Sequence, residues 1–297
     1  MTVAPMQESV VEARATGEGF VARLFRNPKF SVGAVIFLVL ALVAIIGGLA
    51  IDPSQRLTGA FMPRQPPSAG LWLGSDSLGR SVFIQLLEAI PKSMQVGLIA
   101  ATLGTLLGAL IGFVGGYFGG VVDAVLRVLI DVFLSVPSLL FLILIASLVR
   151  GVNVQTMALI IGVFAWAWPA RQVRAQVLSL KERGFVEVAR MSGMGGLEII
   201  GRELMPHMLQ WLGANFVNAF IAAILAESGL SILGLGPQRE MTLGMMIYWA
   251  LSYGAILQNF WWWWMTPVLT LMLLFLALYL IHLGFDEVSN PRLRVEG

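Results

Sequence analysis

Residues 187 to 206 read EVARMSGMGGLEIIGRELMP, a charged and glycine-rich stretch between two long apolar runs. Glycine and proline interrupt helices, so we expect a short helix over 187–192, a break at the glycines, and a second helix over 197–204 that ends at Pro206. Apolar and charged side chains alternate through both pieces. The sequence therefore predicts an elbow of two amphipathic helices, with its apolar face on protein and its charges in water.

The rest of the chain is too apolar for an ordinary soluble domain. Of its 297 residues, 58% are hydrophobic and 12% are charged, and the mean hydropathy is +0.83. A helix needs about 20 apolar residues to cross a bilayer. Six runs reach or approach that length: 30–51, 93–114, 121–149, 154–168, 208–235 and 261–285. We therefore expect an all-α polytopic membrane protein with six transmembrane helices.

The positions of lysine and arginine set the predicted orientation, because short cytoplasmic loops retain these residues. With the N-terminus inside, the cytoplasmic side holds twice as many of them as the outer side. We expect both termini and the elbow to be cytoplasmic. The predicted segments are a cytoplasmic N-terminal segment 1–29, a first transmembrane helix 30–51, an outer loop 52–92, a core transmembrane domain 93–285 with a cytoplasmic loop 172–207, and a cytoplasmic tail 286–297.

The sequence carries no signature of an enzyme or of a metal site. It has no cysteine and two histidines, so thiolate sites are excluded and a metal centre is not expected. A phosphate-binding loop requires G-x-x-x-x-G-K-[ST], and the one lysine that precedes a serine, Lys92, follows Pro91. We expect no cofactor in this chain, and any ATP-driven work needs ATP and Mg bound by partner subunits.

The spacing inside the elbow resembles the EAA loop of ABC importer permeases, whose pattern is E-A-A, three residues, G, and a proline about a dozen residues further on. Val188 replaces the first alanine. In that family the elbow carries the coupling helix, which docks on the ATPase subunit. The resemblance implies that the ATPase-coupling residues here are Glu187, Ala189, Arg190, Gly193, Met194, Gly195 and Pro206.

The outer loop ends in LGSDSLGR, residues 73–80, which resembles the LGTDxxGRD segment of oligopeptide and dipeptide permeases, specifically of the C-type subunit. Asp76, Gly79 and Arg80 fit the pattern, whereas Ser81 stands where the family often has aspartate. The resemblance implies a loop that receives the binding protein or gates the outer mouth. On physical grounds alone, Asp76 and Arg80 are four residues apart and can form an ion pair that shapes the loop.

Further matching stretches lie at 26–30 (RNPKF), 115–140 and 226–236, so the resemblance covers nearly the whole chain. It implies the ABC type I importer permease architecture in the cytoplasmic membrane of a bacterium or archaeon. The implied partners are a second, B-type permease subunit, two ATPase subunits and an extracytoplasmic substrate-binding protein, with no nucleic acid. The implied function is import of peptides or similar small solutes. The alternative is an ion-gradient-driven secondary transporter or a channel subunit.

Three charged residues recur at intervals of four in the third predicted span: Asp123, Arg127 and Asp131. They share one helical face, where acid and base neutralise each other, and charges at membrane depth are costly unless paired. We interpret them as a structural ion-pair ladder, with a part in transmitting ATPase motion as the alternative. Pro137 follows and is expected to kink this helix.

The fifth predicted span carries Asn215, Asn218 and Glu227 in an otherwise apolar run. The two asparagines share a face, where they either tie helices together by hydrogen bonds or line a polar passage. Glu227 lies nearer the outer end. It either pairs with Arg150 or Arg239 or faces a translocation cavity. All three are candidates for the translocation path.

Overall fold

A computed structural model of the chain describes residues 20–289. The predicted N-terminal segment up to position 19 and the predicted tail from position 290 lie outside these residues. The described part holds no β-strand, only two isolated bridges. Its helices are α1 (Phe20–Arg26), α2 (Pro28–Ala50), α3 (Val82–Phe118), α4 (Gly120–Ser135), α5 (Ser138–Leu148), α6 (Val154–Phe164), α7 (Ala167–Leu180), α8 (Gly184–Met191), α9 (Gly196–Ile199), α10 (Met205–Ile232), α11 (Leu243–Ser252) and α12 (Trp261–Ser289).

Four helical stretches of residues 20–289 are long and apolar enough to cross a bilayer: α2, α3, Gly196–Ile232 and α12. The predicted third span consists of α4 and α5, which are bent by 80° at Val136 and Pro137 and can form a fifth crossing. Proline lacks the N–H that would continue the helix, so the predicted kink is confirmed. The predicted fourth span is divided between α6 and α7, with Ala165 and Trp166 between them.

The central element is α3, a helix of 37 residues that packs against α2, α6, α7 and α10. It begins at Val82, inside the stretch predicted as outer loop, because Ser81 caps it: the Ser81 hydroxyl accepts from the Ile84 N–H at 3.4 Å. Val82, Leu87 and Ile90 are buried in protein. These residues need no contact with lipid, so hydropathy alone placed the start of the helix too late.

Glycines spaced four residues apart on one face of α3 let this helix approach α7 closely. A Cβ placed on Gly104, Gly108, Gly112 or Gly116 would lie 2.6 to 2.8 Å from a side chain in the segment 165–177. Without side chains on that face, the two backbones meet directly. This contact fixes the position of α7, which leads into the elbow.

Two further helices complete the bundle. α12 packs against α2, where Glu287 accepts a hydrogen bond from the Asn27 side chain at 2.8 Å and pairs with Lys29. α11 was not predicted, because it is too short to span a membrane and lies between the fifth and sixth predicted spans. Its apolar face, including Met245, Met246 and Ala250, is buried in the core.

Candidate functional site

The first half of the elbow is α8, which ends in a Schellman motif at Gly193. The Met194 N–H donates to the Ala189 carbonyl at 3.2 Å, and the Gly193 N–H donates to the Arg190 carbonyl at 3.0 Å. These bonds satisfy carbonyls that the end of a helix leaves free. Gly193 has φ of +82°, a conformation that costs other residues roughly 1–2 kcal/mol. The break predicted at Gly193 is therefore a defined turn.

The second half of the elbow does not end at Pro206, and that prediction is wrong. α9 starts after Gly195, whose carbonyl accepts from the Ile199 N–H at 2.9 Å, and continues through a π-helical turn at Ile200–Leu204 into α10. Pro206 lies in the first turn of α10, where a missing N–H is tolerated. A π turn adds one residue to the helix and so accommodates the proline ring.

The apolar face of the elbow is buried against α3 and α7, as predicted for an amphipathic segment. Val186, Ala189 and Ile200 are buried there, and Met194 is half-buried beside them. Leu197, predicted on the same face, is instead 73% exposed. Val188 and Met191 are also exposed. We call Val188, Met191 and Leu197 the exposed apolar residues of the elbow. Glu187 and Arg190 are exposed as well.

The elbow holds the end of α3 through an aromatic pair that the sequence did not reveal. Tyr117 and Phe118 stack edge to face with ring centroids 5.3 Å apart. The Arg190 guanidinium lies over the Tyr117 ring, 5.6 Å from its centroid. Gly196 lies against both rings, since a Cβ there would be 2.9 Å from Tyr117 Cε1 and 3.1 Å from Phe118 Cε1. The elbow is therefore in direct contact with the end of α3.

The predicted ladder of Asp123, Arg127 and Asp131 exists only in part. Arg127 pairs with Asp131 at 3.7 Å, and both side chains are more than half exposed. Asp123 instead forms a two-pronged pair with Arg174 of α7, with Arg174 Nη2 donating to Asp123 Oδ2 at 2.6 Å. The glycine contact between α3 and α7 brings Arg174 to the start of α4, so the ion pair joins two elements instead of stiffening one.

At the opposite end of α3, the outer loop is organised by Asp76, whose side chain is fully buried. Its Oδ1 accepts from the backbone N–H groups of Leu78 and Arg80 at 2.8 and 2.9 Å. Its Oδ2 accepts from Arg80 Nε at 2.7 Å and from Gln85 Nε2 at 3.1 Å. Gly79 donates to the Asp76 carbonyl and accepts from the Phe61 N–H. The local ion pair considered for Asp76 and Arg80 is present, within a larger network.

An Asp76→Ala substitution should therefore destabilise this end of the protein. It removes two acceptor oxygens that together receive four hydrogen bonds and leaves the Arg80 side chain, only 17% exposed, without its carboxylate. Loss of one partner of a buried ion pair costs about 3–5 kcal/mol. Hydrogen exchange over residues 59–81 should rise strongly. Asp52→Ala, which removes an exposed carboxylate from the same loop, should change exchange there little; equal effects from both would contradict the assignment.

The three candidates in the fifth predicted span have different surroundings. Asn215 and Asn218 line a cavity of about 440 Å³ beside Pro137 and Trp168, at the bend of α4 and α5 and the start of α7. The Asn215 amide donates to the Trp211 carbonyl one turn earlier in the same helix, at 3.0 Å, and within residues 20–289 it ties no second helix. Their role in translocation stays a prediction.

Glu227 is fully buried and does not line that cavity. Its carboxyl accepts from the hydroxyls of Ser231 and Thr242, both at 2.7 Å, and from Ser93 at 3.4 Å. Of the two alternatives for Glu227, an ion pair with Arg150 or Arg239 is therefore wrong. Glu227 joins α10 to α3 and to the start of α11. The hydroxyls of Ser93 and Thr242 lie 134 and 15 residues away along the chain, so spacing could not indicate them.

The long central helix, the broken spans and the elbow that protrudes from one end together define a helical membrane permease. The fold is similar to a chain of the MetNI methionine ABC transporter in an inward-facing conformation, with a TM-score of 0.53 over 69% of this chain and 94% of that chain, at 19% identity. Residues 104–295 match the family described as binding-protein-dependent transport system inner membrane component. The chain belongs to this family.

Curated relatives match over most of their length. A putative peptide transport system permease protein of Brucella suis is 31% identical over 278 residues, 93% of this chain and 92% of the relative. The dipeptide transport system permease protein DppC of Bacillus subtilis is 33% identical over 273 residues, 92% and 84% of the two chains. The oligopeptide transport system permease protein OppC of Mycobacterium bovis is 32% identical over 231 residues, 76% and 79%.

Proposed function

We propose that this chain is one of two different permease subunits of an ATP-driven importer of peptides or similar small solutes. The relatives named for peptide, dipeptide and oligopeptide transport align over most of the chain. Substrate arrives on an extracytoplasmic binding protein, and two separate ATPase subunits bind ATP and Mg on the cytoplasmic side. The chain lies in the cytoplasmic membrane with both termini and the elbow inside.

The observation that carries this proposal is the shape of the elbow. One face is built into the bundle at α3 and α7, while Val188, Met191 and Leu197 remain exposed. Val188 and Met191 lie outside the candidate spans and Leu197 lies in the first turn of Gly196–Ile232, and a cluster of exposed apolar side chains at such a place is typical of a protein contact. The ATPase subunit binds this exposed side, with Glu187 and Arg190 among the charges around it. Ala189, Gly193, Met194, Gly195 and Pro206 shape the elbow instead of contacting the ATPase.

The geometry supplies a route for the motion. ATP binding draws the ATPase subunits together. This displaces the elbow of this chain and the corresponding elbow of the second permease subunit. Gly196 and Arg190 transmit that displacement to Tyr117 and Phe118, and hence to α3. The pair between Asp123 and Arg174 couples α7 to α4, beyond which the chain bends at Pro137. The helices around the cavity of Asn215 and Asn218 thus move together, which alternates access to the two sides.

Reconstitution tests the proposal. The complex of both permease subunits and both ATPase subunits, in liposomes with the binding protein outside, should accumulate labelled dipeptides or oligopeptides only when ATP and Mg are inside. This chain alone should accumulate none, with or without an ion gradient. Uptake by the chain alone under a proton or sodium gradient would establish the secondary transporter instead. An assembled complex that moves no peptide or similar solute would refute import.

A further inference from the structure

A cavity of about 180 Å³ lies at the end of the bundle opposite the elbow. The first turns of α3, the segment 238–241 and Trp249 of α11 form its walls, together with Gln55 and Arg56 of the outer loop. None of its lining residues also lines the cavity of Asn215 and Asn218. It is therefore a separate site at the predicted outer face.

The positive charges of the residues that line this cavity outnumber the negative ones. The charged residues are Arg56, Arg80, Glu88, Lys92, Arg239 and Glu240. Glu88 is matched by Arg56 at 3.5 Å, and Glu240 accepts from the Val154 N–H at 2.7 Å, at the start of α6. Within residues 20–289, Lys92 and Arg239 have no ion-pair partner. With Arg56 matched by Glu88 and Arg80 by Asp76, the cations Lys92 and Arg239 face the single carboxylate of Glu240, so the site keeps a net charge of +1.

Two residues that line the cavity also carry buried polar atoms that have no partner among the described residues and are not accessible from the cavity. Arg80 uses Nε to bind Asp76, but its buried Nη2 has no acceptor. Gln85, 4% exposed, donates its Nε2 to Asp76 while its Oε1 receives no hydrogen bond. A buried donor without an acceptor costs about 1–3 kcal/mol. The N-terminus of α3 adds a positive potential beside both residues.

We propose that this cavity binds the carboxylate of an acidic side chain of the extracytoplasmic binding protein when that protein docks. This inference rests on the proposed function. A carboxylate in the cavity forms charge-assisted hydrogen bonds with Lys92 and Arg239 and balances the net positive charge of the site. The cavity has room for the tip of one side chain and shares no lining residue with the cavity of Asn215, so it suits a partner that inserts a residue and withdraws it, not a solute that passes through.

The test uses the assembled complex in nanodiscs and the affinity of its binding protein. A Lys92→Gln/Arg239→Gln complex should bind the binding protein at least about tenfold more weakly than the wild type. Its affinity should also respond less to added NaCl, because fewer charges are screened. Copurification of the ATPase subunits shows that the variant is assembled. Arg150→Gln, which removes an exposed arginine outside the cavity, should match the wild type.

Charge reversal identifies the source of the carboxylate. Arg239→Glu should weaken binding further, and one Asp→Lys or Glu→Lys substitution on the surface of the binding protein should restore it. Wild-type affinity in the double variant, or an equal loss in Arg150→Gln, would overturn the assignment. The assignment would also be overturned if the variant bound the binding protein normally but imported less peptide, and did so only for peptides with a free carboxylate. The ligand of the cavity would then be the substrate. Failure of the wild-type complex to bind the binding protein or import peptide would refute the proposed function itself.

Discussion

A Gly108→Leu chain is expected not to form a stable bundle. A Cβ at position 108 would lie 2.6 Å from Pro169 Cβ, 2.7 Å from the Trp166 carbonyl oxygen and 2.9 Å from the Ala170 nitrogen. Two of these three atoms belong to the backbone, so no change of side-chain rotamer relieves the overlap. Extra volume in a packed core costs about 1–3 kcal/mol where side chains can adjust. Here α7 must move away from α3, and we expect a loss at or beyond the upper end of that range.

The expected loss is measured by the unfolding midpoint of the purified complex in detergent and by the yield of monodisperse protein. Gly48→Leu makes the same substitution in α2, where no atom lies within 4 Å of the added Cβ. That variant should behave as the wild type. Equal midpoints for the two variants would show that the contact between α3 and α7 does not support the bundle.

This contact was predictable because its signal is local. Glycines four residues apart must share a helix face, and in a membrane such a face is used for close packing. Pro137 was predictable for the same reason, since proline disrupts the helix in which it lies. That the chain is a polytopic membrane protein followed from the length of its apolar runs, and the break in the elbow followed from Gly193. Each of these inferences needs only residues a few positions apart.

The wrong inferences depended on contacts between distant elements. The partner of Asp123 is Arg174 because α7 lies beside α4, whereas the helical period suggested only Arg127. Glu227 is satisfied by hydroxyls of α3 and of the cap of α11, where no spacing rule applies. Leu197 was assigned to the buried face because apolar and charged residues alternate through both halves of the elbow. The positive φ at Gly193 redirects the chain, so the period does not carry into α9.

The elbow thus combines a rigid attachment with an exposed side, and the two should be separable by mutation. Residues that bind the ATPase should affect assembly of the complex. Residues that contact α3 should affect the amount of peptide imported per ATP hydrolysed. Gly196 belongs to the second group, because its contact is with Tyr117 and Phe118 of the same chain.

A Gly196→Val complex is therefore expected to retain its ATPase subunits but to import poorly. The valine methyl groups extend beyond a Cβ that already lies 2.9 Å from Tyr117, so the elbow must shift away from the end of α3. Energetic coupling between sites is typically worth 5- to 150-fold, and we expect peptide imported per ATP hydrolysed to fall at least about tenfold. Gly201→Val is the matched control, since no atom lies within 4 Å of its added Cβ.

A compensating substitution makes this prediction specific. Tyr117→Ala removes the ring nearest to residue 196 and should restore part of the import lost in Gly196→Val, because the elbow can then return toward α3. A general defect in folding would not be corrected by losing a second packed side chain. If Tyr117→Ala adds its own loss to that of Gly196→Val, or if Gly201→Val uncouples to the same degree, then the elbow does not act on α3 through this contact.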